Sequence, residues 1–447
     1  MSVVLQNPIR ICLSNFTRRN STTTVSSAQF TSYFWRNDQW SAALRRRSSQ
    51  RKLLSQAVAA EHAYDPLFPS SSSTVLNSLA LPSSYPPPLS SLPYKPIPAL
   101  TLPRLLGIYA KLSKSRLSVL VVLTAMSSVA LSPLPTTVPV LLATALGTAL
   151  CSASANTLNQ LQEIPYDAQM ARTRGRPLVR RVISPLHAAG FALVTGIAGP
   201  GLLWVCVNPT TAALGAVNIA LYAGVYTYLK RRSIVNTWVG AVVGGLPPLM
   251  GWTACGGHLL PSTAYPTHLF LPPFLLSSSA SPLSATLADN PLSALALFIL
   301  LFSWQFPHFN SLSFIVRGSY AQAGYRMLSV VSPTQNALVA LRHAALLMPV
   351  CSIFFPLSGL TDWAFALTSL LPNVICVRHA WAFWRVGGNG EKEARKVFNA
   401  SLWYLPVVMG LMMLHKNGLE WTEWFAEKED KKGQENEERT AELQLTR

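Results

Sequence analysis

The chain has 447 residues, of which 50% are hydrophobic and only 12% charged, and a formal net charge of +18. So little charge cannot cover a water-soluble protein of this size, and the apolar excess falls in long runs that suit a lipid bilayer. Nucleic-acid binding is excluded as the meaning of the basic balance: the cations form short clusters between apolar runs, without zinc-finger spacing, an RNA-binding signature or a continuous basic helix.

Residues 1–55 are rich in Ser and Arg, and Asp38 is their only acid. They lack the apolar core of a secretory signal, and the composition predicts a mitochondrial transit peptide. Residues 56–104 are dominated by Ser, Pro and Leu, and dense proline predicts a disordered linker. The membrane domain is expected over 105–417, with an extended Ser/Pro-rich loop at 256–290 and a polar, charged tail at 418–447. None of the six cysteines forms a C-x-x-C pair; most lie in apolar runs and read as small core residues.

Apolar stretches near 117–134, 137–156, 186–206, 211–229, 236–255, 291–312, 336–357, 361–384 and 397–416 predict an all-α, polytopic membrane bundle of about nine transmembrane helices. Loops after the even-numbered spans carry the cations: Arg172 to Arg181, Lys230 to Arg232, Arg317 and Arg326, and Arg385 to Lys396. Loops after spans one, three, five and seven hold no Lys or Arg. The positive-inside rule therefore puts the N-terminus and the even loops on one side, the matrix if the membrane is the mitochondrial inner one.

The second span runs into "NTLNQLQEIPYDAQMARTRGRP", where Asn159, Glu163 and Asp167 fall at i, i+4 and i+8 on one helix face. Two carboxylates and an amide oxygen suit Mg²⁺, which takes a few protein oxygens and completes its shell from phosphate. Arg172 and Arg176 follow, with the planar donors that bind phosphate oxygens. A salt-bridged surface loop is the bland reading, but acids are otherwise scarce in the membrane region. Pro165 is expected to end or kink the helix. Lys230 and Arg231 close span four on the same side and could neutralise a diphosphate, or merely hold their loop inside. His308 ends span six on that side, either as a core histidine or as a ligand.

N-x-x-x-E-x-x-x-D followed by M-x-R-T-x-x-R-P-L resembles the first acidic motif of the UbiA-type intramembrane prenyltransferases. "EIPYD" is similar to that motif in the eukaryotic protohaem IX farnesyltransferases, or haem O synthases. "YTYLKRRSIVNTWVGAVVGGLPPLMGW" (Tyr226 to Trp252) resembles their Y-x-x-x-K segment with its following Asn236. "WQFPHFNSLSF" (Trp304 to Phe314) resembles their W-x-x-P-H-F segment. The likeness covers Leu105 to Lys416 and implies helices around a central cavity, in which a Mg-dependent enzyme passes a farnesyl group from farnesyl diphosphate to haem B. It implies Asn159, Glu163 and Asp167 as metal ligands and, with Arg172 and Lys230, as catalytic residues. It further implies Arg176, Tyr226, Arg231, Asn236, His308 and Asn310 as substrate-binding residues; Arg342 and His343, ionisable residues within span seven, join them as candidates to meet the haem. Implied partners are the lipid bilayer and haem A synthase or other cytochrome oxidase assembly proteins. Trp238, Trp252 and Phe306 are expected to line the cavity. One departure stands out: the family's second acidic motif commonly ends Arg-Glu-Asp-Tyr, and this chain has Arg317-Gly318-Ser319-Tyr320. The rival readings are a non-catalytic haem-binding assembly factor, a prenyltransferase for an aromatic-ring acceptor, and a transporter, for which no convincing internal repeat is seen.

Overall fold

The computed structural model describes residues 100–272, 275 and 289–418. The expected transit peptide, nearly all of the linker, most of 273–288 and the tail beyond Gly418 lie outside the described residues. Within them the regular elements are all helices. Short α1 (Leu102–Leu112) meets α2 (Ser115–Leu131) at a 60° bend. Then follow α3 (Val138–Asp167), α4 (Pro185–Cys206), α5 (Pro209–Leu229) and α6 (Asn236–Ala254). The second half holds α7 (Pro291–Ile315), short α8 (Arg317–Gln322) and α9 (Leu328–Val331), α10 (Pro333–Ser358), short α11 (Ala364–Thr368), α12 (Leu370–Arg385) and α13 (Glu391–Leu414).

Local chemistry marks many of the starts. Ser184, Asn208, Asn290 and Ser332 each accept a hydrogen bond from a first-turn backbone N–H, and proline follows each in the first turn. A capping oxygen and a residue with φ already set thus begin four of the long helices. A seven-residue π-turn, Ala220–Tyr226, interrupts α5, and a shorter one, Val350–Phe354, interrupts α10.

Among the described residues six helices are long and apolar enough to cross a membrane, or seven if the bent α1–α2 pair counts as one span. This is short of the nine expected, for two reasons. Glycines and the pair Pro247–Pro248 dilute the hydropathy of α6. The stretch expected to span at 361–384 is broken at Ser369 into α11 and α12, and α12 has only 16 residues. A span needs about 20 residues.

Small residues let the helices approach, as membrane packing requires. A methyl group on Gly147 of α3 would lie 2.5 Å from Leu203 Cγ of α4, and one on Gly199 would lie 2.8 Å from Cys151 Sγ. Gly251 of α6 is tighter still, since its added carbon would penetrate the backbone carbonyl of Ala125 on α2. Gly251→Ala is therefore expected to destabilise the bundle by about 2 kcal/mol, because two buried helices must part. A thermal melt in detergent that matches wild type would refute this.

α7 runs through the larger core. Leu297 and Leu300 pack with Leu347 and Phe355 of α10 and with Tyr404, Val408 and Met412 of α13. Trp252 is wholly buried in this cluster and donates to His258 O. At one end of the bundle Lys416 donates to Ala130 O and Ser132 O, capping the last carbonyls of α2. The cation-bearing loops after α3, α5 and α7 meet at the other end.

Candidate active site

The site is built on the C-terminal turns of α3. The helix continues through Pro165 and stops at Asp167, so helical backbone carries both carboxylates. Asn156, Asn159, Gln160, Glu163 and Asp167 are all buried there, a polar stripe on an otherwise apolar helix.

Each of the three expected metal ligands faces a cation. Lys230 Nζ donates to Glu163 Oε1 at 2.8 Å, and Arg176 Nη1 lies 3.7 Å from Glu163 Oε2. Arg176 is also ion-paired with Asp167 Oδ2. Asn159 Oδ1 accepts from Lys114 Nζ at 2.9 Å, while its Nδ2 donates to Thr227 Oγ1 at 3.0 Å. Burial opposes the charge on Lys230, yet the Glu163 carboxylate holds its ammonium well above the usual lysine range. Buried Asp167 Oδ1 has no hydrogen-bond partner. An unpaired oxygen of a buried carboxylate costs free energy unless a ligand satisfies it.

Tyrosines roof the cluster. The ring of Tyr226 lies 4.6 Å from Lys230 Nζ and that of Tyr325 lies 6.0 Å away. Arg231 Nη1 donates to Tyr166 OH at 3.0 Å, and Arg172 reaches Tyr320 OH at 3.4 Å. Asn236 Nδ2 donates to Ser233 O and to Arg326 O, tying the loop after α5 to the loop before α9. Thus Asn159, Glu163, Asp167, Arg176, Tyr226, Lys230, Arg231 and Asn236 meet at one end of the bundle, and Arg172 stands at its edge.

The other expected residues lie apart. Asn310 and Asn336 each donate to the other's backbone carbonyl at 3.0 Å, a reciprocal clasp between α7 and α10 that explains Asn310 structurally. His308 Nδ1 bonds Ser401 Oγ at 3.0 Å and its ring stacks on Trp304, facing α13. His343 Nδ1 bonds Val339 O at 2.9 Å, and its ring stacks on Phe306 at 3.7 Å. Phe306 in turn lies against Trp238 of α6. Arg342 is exposed. Gly318 and Ser319 fall on α8, with Tyr320 beneath them the buried residue.

Of the tyrosine roof the sequence pointed only to Tyr226, and it did not mark Lys114, Tyr222 or Thr227 as site residues. Asn156 and Gln160 could have been found, because they continue the i, i+3, i+4 pattern of polar residues on α3.

Among the described residues no three His, Cys, Asp or Glu side chains converge. Two carboxylates and an amide oxygen, one carboxylate oxygen being unpaired, nevertheless fit a divalent ion that draws its remaining ligands from phosphate.

The model of the UbiA prenyltransferase family matches residues 119–405. The mitochondrial protoheme IX farnesyltransferase of Neurospora crassa is 44% identical over 355 residues, covering 75% of this chain and 66% of the relative. That of Yarrowia lipolytica is 44% identical over 336 residues, covering 72% and 64%. The chain therefore spans just under two thirds of the length of these relatives. A solved structure concerning digeranylgeranylglyceryl phosphate synthase in membranes superposes with a TM-score of 0.52 at 13% identity. It covers 69% of this chain and 98% of that one, a likeness of fold.

Proposed function

The chain belongs to the UbiA prenyltransferase family, and from that premise we propose that it transfers a farnesyl group from farnesyl diphosphate to a vinyl group of haem B, forming haem O. One observation carries the reading: two buried carboxylates and an amide oxygen share a helix face, and cations surround them. The names of its relatives supply the haem acceptor. The setting proposed is the mitochondrial inner membrane, with this end of the bundle toward the matrix.

Asn159, Glu163 and Asp167 would hold Mg²⁺, which when bound would supply positive charge to the leaving diphosphate. Arg176, Lys230 and Arg231 take the charge that develops as the carbon–oxygen bond breaks and its electron pair leaves with the diphosphate. The vinyl group's terminal carbon attacks the allylic cation. Water then adds to the carbon beside the porphyrin ring and loses a proton. Trp238 and Phe306 shield the cation from earlier capture by water. Gly318 and Ser319 offer no carboxylate, so the metal site rests on α3.

Reconstitution in nanodiscs with haem B, farnesyl diphosphate and Mg²⁺ tests the proposal, with haem O read by mass spectrometry. Binding of both substrates without haem O would support the assembly-factor reading instead.

For haem the geometry favours His343 over His308. Both use Nδ1 internally and leave Nε2 for iron, but His343 stacks on Phe306, beside Trp238. His343→Ala is expected to weaken haem binding about tenfold and shift the Soret band, while His308→Ala preserves both. The reverse pattern in a haem titration would assign His308.

A further inference from the structure

We propose that Lys114 competes with the metal for Asn159: its ammonium holds the amide oxygen and moves to the diphosphate when metal and diphosphate bind together. The inference rests on the metal–diphosphate reading of the α3 face. Lys114 lies at the break between α1 and α2, in left-handed backbone at φ 49°. A lysine gains nothing locally from that conformation, so the surroundings must impose it. The polar stripe of α3 does so. Gln160 Nε2 donates to Lys111 O and Leu112 O, and Asn156 Nδ2 donates to Ser113 O. The helix break leaves Leu112 O and Ser113 O without intrahelical backbone donors, and Lys111 O receives only a long bond from Lys114 N–H at 3.3 Å. One face of α3 therefore carries both the acidic motif and the clamp that aims Lys114 at it.

The amide orientation is fixed independently. Thr227 Oγ1 donates to Tyr222 O at 2.8 Å, so it accepts from Asn159 Nδ2 and leaves Oδ1 turned toward Lys114. Lys114 Nζ also reaches Tyr222 OH at 3.2 Å. Its role differs from those of Lys230 and Arg176. They pair with carboxylates. Lys114 is held by neutral oxygens and, among the described residues, has no carboxylate at ion-pair distance. Three cations thus face two carboxylates, and Lys114 is the one in surplus. An ammonium and a divalent ion cannot share one amide oxygen without strong repulsion. A diphosphate offers the ammonium a far stronger acceptor, and the exchange frees Asn159 Oδ1 for the metal.

The test is Mn²⁺ binding to the full chain in nanodiscs, read by the loss of the free-ion signal in electron paramagnetic resonance, with and without inorganic pyrophosphate. Lys114→Met should bind Mn²⁺ alone about fivefold more tightly and pyrophosphate about tenfold more weakly. Lys114→Arg, which keeps the cation, should restore pyrophosphate affinity to within about threefold of wild type. A misfolded variant would lose both ligands, so opposite shifts are required; any other pattern for Lys114→Met overturns the exchange. Asp167→Asn serves as the control. If it leaves Mn²⁺ binding unchanged, the metal reading itself fails and the exchange with it. If it abolishes binding while Lys114→Met shifts nothing, the exchange alone is lost.

Discussion

Asp167→Asn should lower haem O formation by about a thousandfold and leave the bundle folded, because it removes a charge aimed at the reacting diphosphate rather than a packing contact. Asn fills the same volume, and Arg176, partly exposed, keeps Glu163 at 3.7 Å as a second acceptor. The unpaired oxygen, Asp167 Oδ1, gains no protein partner in either form. The stability cost should therefore stay near 1 kcal/mol, the scale of a partly solvated pair. Haem O formation in nanodiscs at saturating substrates, beside a thermal melt, separates the two effects. Activity within tenfold of wild type would remove Asp167 from the reaction.

Lys230→Met should damage both stability and turnover. It leaves Glu163 buried without its 2.8 Å partner, and removing one member of a buried pair costs about 3 kcal/mol. It also removes a cation proposed to meet the leaving diphosphate, a loss of about a hundredfold in rate. The double variant Glu163→Gln with Lys230→Met distinguishes these effects. Two neutral residues of similar shape should recover most of the melting temperature, yet activity should fall further because a metal ligand is gone as well. A double variant as unstable as the single one would mean that the pair is not held chiefly by charge. One with wild-type turnover would mean that neither residue serves the chemistry.

Much of the site's outline could be read from residue spacing. Asn159, Glu163 and Asp167 at i, i+4 and i+8 required one face, and the loop charges required Lys230 and Arg176 at the same end. The bundle places them together. Lys114 was not legible, because its role depends on a left-handed residue and on carbonyls clamped by another helix. Asn310 misled for the opposite reason. Next to a histidine motif it read as a substrate group, and only the long-range pairing with Asn336 shows a buried amide serving the backbone. Helix length was the least legible property. Ser369 breaks an apolar stretch without any change in hydropathy that a span count registers.

The π-turn in α5 limits how this chain can change. Each residue of an α-helix turns the chain by about 100°, and a π-turn absorbs one residue more than an α-turn in the same rise. Ala220–Tyr226 therefore acts as a rotary spacer between the outer part of α5 and its last turn, where Tyr226 and Lys230 face α3. Loss of a single residue there would restore regular winding and leave Lys230 near its present bearing toward Glu163. Elsewhere in α5, insertions and deletions should be far less tolerated than substitutions, since each resets the bearing of every residue beyond it by about 100°.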